Sequence, residues 1–199
     1  MSVTAEPRPA AKREPIQSFE NKAAWAAWLA KNHAASSGVW LRLAKKSSRA
    51  SSVTYTEAIE VALCYGWIDG QKKGESDQHW LQRFVPRRRT SVWSKINRGK
   101  ALSLIARGEM KPAGLKEIER AKASGRWKDA YDSASGATVP GDLQAALDAN
   151  AKAKAFFATL NARNRYTVLF RIQTARKAET RVRRIQTFVQ MLEKHKTLC

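Results

Sequence analysis

Three consecutive arginines, Arg87, Arg88 and Arg89, stand between a run that ends at Pro86 and a segment, T-S-V-W-S-K-I-N, that reads as the opening of a helix. Guanidiniums are planar, permanently charged donors that match carboxylate and phosphate oxygens in pairs. A helix start adds unpaired backbone N–H groups and the positive end of the helix dipole. Thr90 and Ser91 are the expected N-caps, and Ser91, Ser94 and Asn97 bring further donors, so this corner is a candidate cradle for a phosphate or carboxylate. The plainer alternative is a solvated charge run where a sheet turns into a helix. Trp67, Trp80 and Trp93 lie around the same corner. Core packing is the ordinary role of such rings, and a stacking platform for a base or sugar is the functional one.

A carboxylate completes the constellation. Trp67 to Lys73 and His79 to Val85 alternate with period two and read as antiparallel strands joined by a turn over Gly74–Asp77. A turn centred near Ser76 sets Asp69 across from Arg83, on the face that also carries Leu81 and Val85. A guanidinium on an apolar face needs a partner, because an unpaired buried charge is very costly, and Asp69 is the expected one. Trp80, Gln82 and Phe84 then form a partly exposed aromatic face. A catalytic reading would rest on Asp69 and Glu57, with Asp69 as the candidate acid or base; His79 beside Trp80 reads as a surface histidine rather than a general base.

Other chemistries find little support. His33, His79 and His195 share no metal-ligand spacing with each other or with cysteine, so no metal site and no cofactor is expected. No nucleophile elbow, phosphate-binding loop or dinucleotide glycine pattern occurs. Cys64 lies in an apolar helical run and reads as a buried structural thiol; with Cys199 as the second of two cysteines, no disulfide framework forms.

The rest of the chain must position this stretch. Its 199 residues carry 37 Lys plus Arg against 17 Asp plus Glu, a net charge of +20, which attracts polyanions. With 43% hydrophobic residues and seven tryptophans, most of it is expected to fold. Residues 1–16 read as a disordered tail without an apolar export segment, and no run is apolar enough to span a bilayer, so the expected compartment is the cytoplasm. Asn21 caps a first helix with Trp25, Trp28 and Leu29 inward, and V-W-L-R-L-A-K alternates as a strand. Thr54 and Glu57 form a capping box for a second helix that stops at Gly66. Trp93, Ile96, Leu104 and Ile105 mark a third, and Leu115 and Ile118 the inner face of a fourth. After a loop-like stretch over 133–141 the pattern is helical to the end, with Val182, Ile185, Phe188, Val189 and Leu192 along one side of the last helix.

Together G-V-W-L-R-L-A-K-K (38–46), T-Y-T-E-A-I-E-V-A-L-C-Y-G-W-I-D-G-Q (54–71) and R-F-V-P-R-R-R-T-S-V-W-S-K-I-N (83–97) resemble the YdeI/OmpD-associated, or bacteriocin-protection, family. The likeness continues through G-E-M-K-P-A-G-L (108–115), G-R-W (125–127) and A-R-K-A-E-T-R-V-R-R-I (175–185). The signature positions that this resemblance carries over are Gly66, Trp67, Asp69, Gly70, Arg83, Pro86, Arg87, Trp93, Ser94 and Asn97. It implies a bacterial protein whose label points to stress or antimicrobial-peptide resistance, with no agreed reaction.

The expected architecture is α+β: a small antiparallel sheet of about three strands packed by the first two helices, then an all-helical C-terminal half. Residues 17–132 form the first domain and 142–199 a helical subdomain. The expected function is binding of an anionic small molecule or nucleic acid, through Trp67, Asp69, Arg83, Arg87, Arg88, Ser91, Trp93, Ser94 and Asn97. An enzyme using Asp69, or an interaction protein whose basic surface meets an acidic partner or anionic lipid, stands as the alternative. The oligomeric state stays open.

Overall fold

The computed structural model describes residues 14–48 and 50–198, so residues 1–13 of the tail expected over 1–16 lie outside the described residues. Its expected end at residue 16 moves, because Glu14 pairs with Arg83 and a strand begins at Ile16. The chain divides into two compact units. The first runs to Arg89 and includes Leu104–Glu117; the second comprises Thr90–Ser103 and Ile118 onward. The stretch 133–141 lies inside the second unit.

The first unit is an α+β layer. Its strands β1 (Ile16–Ser18), β2 (Val39–Ala44), β3 (Trp67–Gly74) and β4 (His79–Pro86) form one mixed sheet in the order β1-β2-β4-β3. β1 runs parallel to β2 and the other pairs are antiparallel, so the sheet has one strand more than expected. That strand has three residues, too few to show a period.

Helices α1 (Lys22–Asn32) and α2 (Tyr55–Cys64) begin where their caps dictate. Asn21 Oδ1 accepts from Ala24 N–H at 2.9 Å, and Thr54 and Glu57 close the capping box. Val39, Leu41 and Leu43 pair with Phe84, Gln82 and Trp80, so these six side chains share the core-facing side of the sheet. Trp25 fills the space between helix and sheet, its ring 5.7 Å from Phe84 and its indole N–H on the Ala58 carbonyl at 3.1 Å. A buried indole keeps its donor satisfied in this way.

Helix α3 (Lys95–Ala106) begins in the second unit at Lys95, four residues after the expected cap Ser91, and its last turn belongs to the first unit. Tyr131 N–H donates to Trp93 O at 2.9 Å and Lys95 N–H to Tyr131 O at 2.8 Å, which holds the chain extended through Ser94. Ser94 then caps the helix, its Oγ accepting from Asn97 N–H at 3.1 Å. The apolar stripe expected on this helix also shifts: Ala101 and Leu104 are buried, whereas Ile96 is 54% exposed. On α4 (Pro112–Ala123) Ile118 is buried and Leu115 is not.

Helices α5 (Gly141–Asp148), α6 (Ala151–Thr159), α7 (Ala162–Gln173) and α8 (Ala178–Glu193) form the helical C-terminal part. Leu143, Leu147, Phe157, Leu169, Ile172 and Phe188 belong to its core, while Val182 stays exposed on α8.

Candidate functional site

The hairpin corrects the expected partnership of Asp69 and Arg83. Pairs Gly74↔Trp80 and Lys73↔Leu81 centre the turn on Asp77, one residue beyond Ser76, and a bulge between Asp69 and Lys72 absorbs one more. Asp69 therefore lies across from Phe84, and Arg83 faces the other way beside Trp40. Arg83 finds a carboxylate all the same: its Nε donates to Glu14 Oε2 at 2.6 Å and its Nη2 to Glu14 Oε1. That guanidinium holds the Glu14 carboxyl below its usual range. Asp69 Oδ2 instead accepts from the Tyr55 hydroxyl at 2.7 Å.

The aromatic face is likewise different from expectation. Phe84 is fully buried, and the buried Gln82 acts as a plug for the bulge. Its Nε2 donates to the carbonyls of Gly70 at 3.0 Å and Gln71 at 3.2 Å, satisfying two acceptors that the broken ladder leaves over. Trp67 is core, edge-on to Trp28 with its indole N–H on His33 O. Arg87 is buried and its backbone N–H donates to Gly66 O at 3.0 Å, whereas Arg88 and Arg89 are exposed. The three guanidiniums thus meet different environments.

Of the remaining expected residues, Trp93 is buried edge-on to Trp127, and Ser91 is half-buried. Ser94 and Asn97 are joined by the cap described above, and Lys95 N–H is taken by Tyr131. Two of the first three amides of α3 are therefore engaged within the protein, and the expected anion cradle at this helix start is largely filled.

A different cation-lined hollow lies in the second unit. It has a volume of about 390 Å³, and Lys95, Arg126, Tyr131, Asp132, Arg176 and Arg181 are among its walls. The pairing of Tyr131 with Trp93 brings one wall to the start of α3. The junction of α7 and α8 supplies the other. Asp132 is held on every side: Lys95 Nζ reaches Oδ1 at 2.6 Å, Gln173 Nε2 donates to Oδ2 at 3.0 Å, and the Tyr166 hydroxyl donates to its carbonyl at 2.8 Å. Arg181 grips Asp142 through Nε at 2.6 Å and Nη2 at 2.8 Å, and its Nη1 donates to Ile172 O. That clamp keeps the Asp142 carboxyl below its usual range. Lys95 and Arg181 are thereby neutralised and act as scaffold. Arg176 Nη2 donates to Ser124 O. Arg126 Nε is buried and has no hydrogen-bond partner among the described residues.

A buried charged donor without an acceptor is costly, and a bound anion would supply what it lacks. Sequence reasoning singled out neither Arg126 nor Arg176 as a binding residue. The signal was nevertheless present, since G-R-W (125–127) and A-R-K-A-E-T-R-V-R-R-I (175–185) were two of the family-like motifs, and both reach this cleft. Among the described residues no cluster of His, Cys, Asp or Glu could hold a metal ion, and no helix is long and apolar enough to cross a membrane.

The fold and cleft define a two-unit α+β protein with a cation-lined hollow in its mainly helical unit. Residues 17–117 match a family model described as a domain of unknown function (DUF8412), and residues 136–195 match one described as Bacteriocin-protection, YdeI or OmpD-Associated. The first match spans just over half of the chain, which therefore belongs to that family, and the C-terminal segment is similar to the YdeI/OmpD-associated family. Most motifs behind the resemblance fall in the first match, and A-R-K-A-E-T-R-V-R-R-I falls in the second. No curated protein and no solved structure matches the chain.

Proposed function

We propose that this protein binds a small anionic molecule, phosphorylated or carboxylated, in the cleft of the second unit, in a cytoplasmic setting. The observation that carries the reading is the buried Nε of Arg126, without a hydrogen-bond partner among the described residues, in a hollow where Lys95 and Arg181 are already ion-paired. Arg126 and Arg176 are the ligand-facing donors, and the ring of Tyr131 is an apolar wall. The volume falls in the range of small-molecule sites, roughly 300–1,000 Å³. The overall charge of +20 adds long-range attraction for such ligands. Nucleic acid is the second reading, favoured by that same charge, and it differs in predicting a steep loss of affinity with salt.

Thermal unfolding with inorganic phosphate, citrate, sugar phosphates and mononucleotides tests the reading. A ligand of the folded state at a hundred times its Kd stabilises it by about 2.7 kcal/mol. Stabilisation by one of these anions, abolished in Arg126→Met, is expected. A response that Arg126→Met retains in full would place the site elsewhere.

A further inference from the structure

The first unit carries a second hollow that the proposal above does not use. It has a volume of about 620 Å³ and lies where the end of β2, the loop after it and the start of α2 meet; Lys45, Lys46, Ser51, Tyr55, Thr56 and Trp80 are among its walls.

Two features of these walls belong together. The first is an aromatic pair. Tyr55 leaves 41% of its surface exposed, yet its ring is fixed: the hydroxyl donates to Asp69 Oδ2 at 2.7 Å, and the ring stands 5.9 Å from the half-buried Trp80 at a 47° tilt. An exposed aromatic side chain tethered at its tip loses little further freedom when a flat ligand packs on it. The second is charge. Lys45 and Lys46 are both exposed and form no ion pair among the described residues, whereas Arg42, three residues earlier, is paired with Glu75 at 2.7 Å. The carboxylates near this end are already engaged. Glu57 accepts from Thr54 N–H and Oγ, and Asp69 accepts from Tyr55, so the anionic part of a ligand belongs at the lysine end.

We infer that this groove takes a nucleotide unit, with the base against Tyr55 and Trp80 and the phosphate on Lys45 and Lys46. Every base has a π-face that stacks on such rings, and ammonium groups hold phosphate as point charges. Ser51 and Thr56, both exposed hydroxyl residues on the rim, suit the sugar. The unit comes from a free mononucleotide or from a single strand, and the chemistry recognised is the same.

Calorimetric titration of the full chain with AMP, TMP, ribose 5-phosphate and an eight-residue oligothymidylate tests this. AMP is expected to bind more tightly than ribose 5-phosphate by on the order of five- to a hundredfold, the share that stacking contributes. Tyr55→Ala should remove that advantage. Tyr55→Phe, which keeps the ring and drops the Asp69 tether, should keep most of it. Replacing both exposed lysines, Lys45→Ala with Lys46→Ala, should weaken AMP and flatten its salt dependence. Repeating these titrations in the Arg126→Met chain removes any contribution of the second-unit cleft and should keep the preference for AMP over ribose 5-phosphate, so failure of that cleft and failure of this groove read differently. Tighter binding of the oligonucleotide than of TMP would identify a strand as the source, and equal binding a free nucleotide. AMP and ribose 5-phosphate binding alike, neither binding, or a folded Tyr55→Ala that binds AMP as the wild type does would overturn the inference.

Discussion

The same substitution at two helical glycines should move stability in opposite directions. Gly114 is the third residue of α4, and a Cβ built there would lie 2.7 Å from the carbonyl oxygen of Leu63 and would also meet the carbonyl oxygen of Cys64 and Met110 Sδ. The two carbonyls end α2, and Lys111 N–H already donates to one of them at 3.3 Å. A carbon and a carbonyl oxygen approach comfortably only to roughly 3.3 Å. The Met110 side chain can swing away, but the backbone oxygens cannot move without pulling on α2. Overpacking costs about 1–3 kcal/mol, and two backbone oxygens closer than 3.0 Å put this site in the upper part of that range, so after a helix-propensity gain of about 1 kcal/mol Gly114→Ala should lose about 1–2 kcal/mol net. Gly99, inside α3, has nothing within 4 Å of the same added carbon. Gly99→Ala should therefore gain about 0.5–1 kcal/mol. Urea unfolding followed by far-UV circular dichroism compares the two midpoints with the wild type. A Gly114→Ala midpoint at or above that of the wild type would refute the end-on packing of α4 against α2.

Two further outcomes follow from the sheet. Gln82→Leu leaves the bulge carbonyls of Gly70 and Gln71 without their donor, and should cost about 1–3 kcal/mol and speed amide exchange across β3 and β4; unchanged exchange would remove the plug from the account. Glu14 has a depressed carboxyl pKa in the folded chain, so its pairing with Arg83 contributes fully above the ordinary glutamate range and fades as pH falls through the lowered value. Wild type and Glu14→Gln should accordingly differ by about 1–2 kcal/mol at neutral pH and converge in acid, as read from urea midpoints; a difference that grows in acid would reverse the sign of the argument.

What the sequence made legible was local. The Asn21 cap, the Thr54–Glu57 box and the alternation of V-W-L-R-L-A each depend on residues a few positions apart, and each appears where expected. Two of the misreadings involve distance. Arg83 finds its carboxylate 69 residues upstream in Glu14, and the cap of α3 is displaced by a backbone pairing with Tyr131. The hairpin failed for a subtler reason: one shift of the turn and one bulged residue decide which face Asp69 takes, and neither has a composition of its own. The cleft was invisible as a site because its arginines lie about fifty positions apart, each ordinary in its own segment, and only the fold supplies the burial that leaves the Arg126 Nε without an acceptor.

The most direct measurement is the nitrogen–proton resonance of the Arg126 Nε group, assigned by comparison with Arg126→Met, during titration of the full chain with inorganic phosphate and then with the most stabilising anion from the thermal series. A saturable shift of that resonance, while the Nε resonance of the Glu75-bound Arg42 stays in place, is the predicted result. An Arg126 resonance that does not move, or that moves no more than the Arg42 signal, would contradict the assignment of the cleft as the anion site.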